Sequence, residues 1–181
     1  MKFSDIASRV NGIPHTTVEK GRLIYETILE NRLKNTLELG FACGVGSCYI
    51  AGALDELGEG SLVSVDMPNA RDRVPTGPEL SRSIGLDAYI QFVFHELGYN
   101  WFLMDAVAEN KSFDFCFLDG AHTWDVDALA FYLTDLVLIP GGVIIFDDLD
   151  WCYAKSPTWG KVDAPELLRQ TAGVRKVVEL W

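Results

Sequence analysis

The 181-residue sequence has no apolar run long enough to cross a bilayer. Its N-terminus also lacks the basic-then-apolar pattern of a secretory signal. Both absences fit a cytoplasmic protein without a membrane partner. Positive charge is scarce: 15 Lys and Arg face 26 Asp and Glu, for a formal charge of −11. A general nucleic-acid binder needs a basic surface, so the balance argues against that class and against docking on anionic lipid. CxxC spacing is missing too. Cys43, Cys48, Cys116 and Cys152 lie in or beside apolar segments. Buried thiols in a reducing compartment fit better than a disulfide framework or a zinc site. There are no repeats and no low-complexity segments. One domain is the expectation at this length, with enough chain for a sizeable core.

What is present centres on Leu37 to Ser47. Thr36 to Leu39 are strand-prone, and Gly40, Gly44 and Gly46 allow backbone approaches that a side chain would block. From Cys48 the apolar residues Tyr49, Ile50, Ala53, Leu54 and Leu57 fall at helical spacing. A strand, a glycine turn and a helix start aim backbone N–H groups and a positive dipole end at one small volume. That volume suits an anionic or polar cofactor group.

The rest reads in order. Thr16-x-x-Glu19 is a capping box for a helix from about Thr17 to Asn31. Gly58 and Gly60 end the helix after the glycine turn. Leu62 to Asp66 is a buried strand closing on an acid. Met67 to Tyr89 carries three prolines and allows a short helix near Glu79–Ile84. It is a surface excursion or a lid. Ile90 to His95 is a third strand, Asn100 to Ala108 a helix, and Phe113 to Asp119 a fourth strand. Val126, Leu129, Ala130, Leu133 and Val137 mark another helix. Pro140-Gly-Gly is a turn before a strand Val143–Phe146, and Asp163 and Pro165 start a last helix. Val174 to Leu180 looks like a final strand. Alternating strands and helices imply an α/β, doubly wound, mostly parallel sheet. Ligands then sit at the carboxyl ends of the strands, where Gly40, Asp66, His95, Asp119 and Asp147-Asp148 fall.

Each polar residue there has two readings. Asp66 suits ribose hydroxyls, or is an ordinary turn aspartate. Glu38, inside the first strand, orders the turn or meets a cofactor amino group, or belongs to a structural network. Ala42 and Val45 break the G-x-G-x-x-G fingerprint, which disfavours a nicotinamide or flavin dinucleotide. Asp119, Asp147 and Asp148 converge if their strands are neighbours; such carboxylates need a proton or a cation between them, and Mg²⁺ suits them. Otherwise Asp148 caps a turn and Asp147 alone faces the pocket. His122, three residues after Asp119, is a candidate general base; His15 and His95 are weaker candidates. Trp124, Trp151 and Trp159 wall a pocket or fill a core.

Taken together, Glu38-x-Gly40-x-x-x-Gly44, Asp66, Leu118-Asp-Gly-Ala-His122 and Pro140-Gly-Gly-Val-Ile-Ile-Phe-Asp-Asp148 resemble a class I S-adenosylmethionine-dependent methyltransferase. The likeness is to the metal-dependent O-methyltransferases, among them catechol O-methyltransferase and bacterial enzymes with an Asp-Gly-x-His segment. It runs from about Thr17 to Trp151. It implies a Rossmann-like methyltransferase fold in which Gly40, Phe41, Gly44 and Ser47 hold the methionine end of the cofactor, with Glu38 beside them. Asp66 would bind ribose, and Phe94, His95 and Glu96 would lie at adenine. Asp119, Asp147 and Asp148 match the metal ligands, Asp119 also bordering the cofactor, and His122 stands where the family carries its base. The implied reaction is Mg²⁺-assisted O-methylation of a small-molecule hydroxyl. The alternatives are a nicotinamide-type oxidoreductase and a non-catalytic S-adenosylmethionine-binding module. Ala42 departs from a common glycine, and no Gly-Asp precedes the fourth strand. The sequence ends at Trp181, before the family's antiparallel seventh strand. A shortened member, a chain cut short, or a strand supplied by a partner would each account for that, and a homo-oligomer is left open.

Overall fold

A parallel sheet organises the chain in the computed structural model, which describes residues 1–157 and 159–180. The strands are β1 (Asn35–Leu39), β2 (Ser61–Asp66), β3 (Ile90–Phe94), β4 (Phe113–Leu118) and β5 (Leu138–Phe146). They pair in the order β3-β2-β1-β4-β5, every pair parallel. The helices are α1 (Phe3–Arg9), α2 (Val18–Asn31), α3 (Val45–Leu57), α4 (Gly77–Ile84), α5 (Tyr99–Ala108), α6 (Trp124–Val137), α7 (Glu166–Gln170) and α8 (Gly173–Leu180). Chain order reverses between β1 and β4, so the crevice above those two strands is the natural ligand position.

The strands are apolar on both faces because both are covered. Leu37, Leu39, Val65, Cys116 and Leu118 pack with Leu103 and Ala106 of α5 and Ala130 of α6. Phe115, Phe117 and Leu62 pack with Ile24 and Ile28 of α2 and with α3. Gly21 lets α2 close on α3: a Cβ there would stand 2.3 Å from the buried ring of Tyr49. All four cysteines are buried and unpaired. No helix among the described residues is long and apolar enough to cross a membrane.

Several expectations need correction. The N-cap of α2 is Thr17, whose hydroxyl accepts from Lys20 N at 3.3 Å; Thr16 is buried and does not cap. A reciprocal capping box does occur, at Thr76 and Glu79, and it starts α4 at Gly77 rather than Glu79. Gly77, Leu80, Ser81 and Ile84 of α4 are buried, so this segment is an excursion docked on the core rather than a lid. Pro140-Gly-Gly does not precede the fifth strand; it lies inside β5, where the pairing with β4 shifts register. Val174 to Leu180 is helical, not a strand. Val174, Val177 and Val178 recur at helical spacing, and the two that face inward seat α8, which packs on α6. Among the described residues no strand follows β5.

Candidate functional site

The site begins where β1 ends. Gly40 has φ +92°, and a Cβ on it would lie 2.0 Å from the carbonyl oxygen of Asp119. Only glycine lets the turn after β1 and the segment after β4 come this close. Ala42 carries φ +45°, a left-handed angle at the position where the resemblance has glycine. The turn is clamped by Asp66: its Oδ2 accepts from Phe41 N at 3.0 Å and Ala42 N at 2.8 Å, and its Oδ1 accepts from Met67 N at 2.7 Å. A carboxylate has about four acceptor positions, so three backbone bonds leave little over. Asp66 is therefore the brace of the glycine turn. Phe41 is buried edge-on against Phe92 and Phe94. His95 continues from β3 beside Asp66: its backbone N–H donates to Asp66 O, and its Nδ1 accepts from Leu97 N. Glu96, next to it, is exposed.

Glu38 does not open to this surface. It is 1% exposed, and its Oε2 accepts from the hydroxyls of Ser47 and Ser64. Ser47 is fully buried as well, with its hydroxyl spent on that bond. The pair ties β1, β2 and the start of α3 together under the turn. Burial pushes the Glu38 carboxyl up to about 7, partly offset by the two serine hydroxyls. The acid is therefore more protonated folded than unfolded between its ordinary 4.5 and about 7. Stability must fall as pH rises through that window. Glu38→Gln keeps an acceptor for the serines and removes the ionisation. Urea denaturation at pH 5 and pH 7.5 is expected to show a smaller loss between the two for the variant than for the parent.

The second half of the site lies across the switch point. Asp119 N donates to Leu39 O and Asp147 N to Leu118 O, so the sheet ladder itself sets the two acids side by side. Burial first, then the charges of Asp147 and Asp148, push the Asp119 carboxyl well above the usual carboxylate range. His122 Nε2 is 3.6 Å from Asp148 Oδ2 and 3.9 Å from Asp119 Oδ1. The Trp151 ring lies against His122, centroids 5.3 Å apart, and Tyr153 backs Trp151. His122 and Asp148 both hold left-handed backbone angles, φ +59° and +50°. Such angles cost about 1 kcal/mol or more each and persist where the surroundings over-determine them.

Donor atoms of Asp119, His122 and Asp148 all lie within 4.8 Å of one another. Asp147 is not in that group: its Oδ1 meets Lys20 Nζ at 2.5 Å and Asp148 N at 2.7 Å. Among the described residues, Asp119 and Asp148 thus come together with His122, while Asp147, expected beside them, meets Lys20. Lys20 also bonds Asp148 Oδ1 at 2.9 Å. Burial lowers the ammonium's pKa, but the hydrogen bonds to the two aspartates outweigh it and raise it overall.

Three participants escaped sequence reading. Lys20 sits at i−4 to Ile24 and i−8 to Ile28, so it continues their buried stripe to the start of α2; that spacing was its signal. Tyr99 and Asp127 gave none. The Tyr99 hydroxyl donates to Asp127 Oδ1 at 2.8 Å and accepts from Ala121 N at 3.0 Å, which pins the segment before His122. Gly120 makes room for that hydroxyl, since a Cβ there would be 2.3 Å from it. Trp124 and Trp159 are exposed, whereas Trp151 meets His122.

With this geometry in hand, known proteins give a consistent picture. No protein of curated function matches the chain. Among solved structures, it is similar to the O-methyltransferase TomG from Streptomyces achromogenes, involved in tomaymycin synthesis and solved with SAM: TM-score 0.66, 19% identity, 98% of this chain and 76% of that one. An O-methyltransferase from Bacillus cereus in complex with SAH gives 0.68 at 18% identity over 99% and 79%. The SAH-bound methyltransferase PaMTH1 from Podospora anserina gives 0.65 at 15% over 98% and 74%. At these identities the likeness establishes the fold, a class I methyltransferase sheet. A family model described as a methyltransferase domain matches residues 37–149, more than half of the chain and the span from β1 to the acidic cluster. That match sets aside the oxidoreductase alternative, and the chain belongs to the methyltransferase-domain family.

Proposed function

We propose that the protein is an S-adenosylmethionine-dependent O-methyltransferase that acts on a hydroxyl of a small molecule, with a divalent ion such as Mg²⁺ at the acidic cluster. The observation that carries this reading is the closeness of Gly40 to Asp119. It brings the cofactor turn and the His122 cluster to one rim of the sheet. O-methyltransferases solved with SAM or SAH share the fold, which supports the cofactor.

The residues suit both groups. Backbone from Gly40 to Gly44, braced by Asp66, would hold the methionine end, with Asp66 on the ribose side and His95 and Glu96 on the adenine side. The cofactor, when bound, supplies a sulfonium methyl group for transfer to the substrate oxygen. Asp119 and Asp148 offer hard carboxylate oxygens of the kind Mg²⁺ or Mn²⁺ takes, and His122 Nε2 stands beside them as the base, outside the metal's ligands. The Lys20 ammonium already stands in as a cation against Asp147 and Asp148. A divalent ion there would supply Lewis acidity that lowers a hydroxyl's pKa.

The chain's own residues do the rest. His122 Nε2, directed at the cluster, accepts the substrate hydroxyl proton, and Asp119 and Asp148 stabilise the imidazolium that results. Tyr99 and Asp127 hold the backbone that carries His122. Trp151 covers one side of the imidazole. The largest contribution is positioning, because a well-oriented pair of reactants gains many orders of magnitude in effective concentration.

Methyl transfer from labelled S-adenosylmethionine to a panel of catechols and sugar hydroxyls, with and without chelator, tests this. Transfer to a hydroxyl that chelator suppresses is expected. Transfer unaffected by chelator removes the metal. Tight cofactor binding with no transfer to any acceptor leaves a binding module in place of an enzyme.

A further inference from the structure

Lys20 comes from α2, while the aspartates it meets follow β5. Its Nζ lies 2.5 Å from Asp147 Oδ1 and 2.9 Å from Asp148 Oδ1. Asp147 is 6% exposed, so this ammonium is its counter-charge; a buried carboxylate left unpaired is costly. Asp148 is shared. Its Oδ1 takes Lys20 and its Oδ2 faces His122. One carboxylate therefore links the lysine to the cluster of Asp119, His122 and Asp148.

We infer that Lys20 is the resident cation of the acidic cluster and competes with the divalent ion for it, so that the ion is held weakly and exchanges readily. The inference rests on the metal site proposed above. Two effects drive the competition. The unit charge of Lys20, a few ångströms away, repels an incoming divalent charge. It also keeps Asp147 out of the donor set, leaving the ion fewer carboxylates than the strand ends carry. Removing the ammonium would relieve the repulsion and release Asp147 as a ligand. Both changes act in the same direction. Lys20 balances part of the cluster's charge without an ion.

Mn²⁺ titration of the whole chain, followed by the electron paramagnetic resonance of free Mn²⁺, tests this. Lys20→Met and Lys20→Gln are compared with the parent and with Lys20→Arg, which keeps the charge. Thermal melting checks that each variant is folded. The neutral variants are expected to bind Mn²⁺ at least about tenfold more tightly, since repulsion between a unit and a divalent charge at this range reaches that size even at the dielectric of water. Lys20→Arg should stay within about threefold of the parent. Folded neutral variants that bind no tighter than the parent overturn the inference while leaving the metal site standing. Absence of Mn²⁺ binding in every form at millimolar concentration overturns both. S-adenosylmethionine affinity, measured on the same samples, judges the methyltransferase reading separately. Should both neutral variants fail to fold, acylation of Lys20 in the parent replaces the comparison. Mn²⁺ is expected to raise its rate severalfold relative to the exposed Lys2, and an unchanged rate overturns the inference.

Discussion

His122→Ala is expected to lower kcat by about a hundredfold to ten-thousandfold, the range over which a positioned base contributes. S-adenosylmethionine affinity should stay within about twofold. The separation follows from position. His122 lies after β4 and faces Asp119 and Asp148, whereas the glycine turn and Asp66 belong to β1 and β2. The cluster, not the cofactor turn, loses a member. Single-turnover transfer with the cofactor saturating reads the chemical step directly, and calorimetry reads the cofactor. A variant with undiminished kcat would sink the base assignment. A variant that loses cofactor affinity in proportion to kcat would place His122 in cofactor binding.

Gly40→Ala should do the reverse and more. Alanine at φ +92° pays backbone strain of about 1–2 kcal/mol. Its Cβ would also stand 2.0 Å from Asp119 O and 2.8 Å from its carbonyl carbon, where a backbone held by the ladder cannot retreat cheaply. Overpacking adds about 1–3 kcal/mol. We expect a total loss of about 2–5 kcal/mol by urea denaturation, and cofactor affinity lowered by at least about a hundredfold. Gly58→Ala supplies the control. Gly58 has φ +76° with nothing within 4 Å of a Cβ, so only the strain remains, about 1–2 kcal/mol. Equal losses at the two positions would show that the close approach of the two segments carries no energy of its own.

The strand ends were readable in advance because each strand announced its own termination. Leu39-Gly40, Val65-Asp66, Leu118-Asp119 and Phe146-Asp147 are apolar runs that stop at glycine or an acid, and parallel pairing brings such ends to one rim. Glu38 was recognisable as an anomaly, a carboxylate within an apolar strand. Its answer, Ser47 and Ser64, depends on register: Glu38 sits level with Ser64 in β2, and α3 lies above both. The last helix runs against its composition. Valine favours strands, yet Val174 and Val177 are three apart, and packing against α6 rewards that spacing.

Local pattern alone decided the parallel sheet, the glycine turn and the polar rim, because period, glycine placement and the acid after each strand are properties of short stretches. Which carboxylate meets which partner was settled by distance in space. Lys20 and Asp148 are 128 residues apart in the chain and 2.9 Å apart in the fold. No short window contains both, and the pairing exists only because α2 packs against α3 beside the ends of β4 and β5.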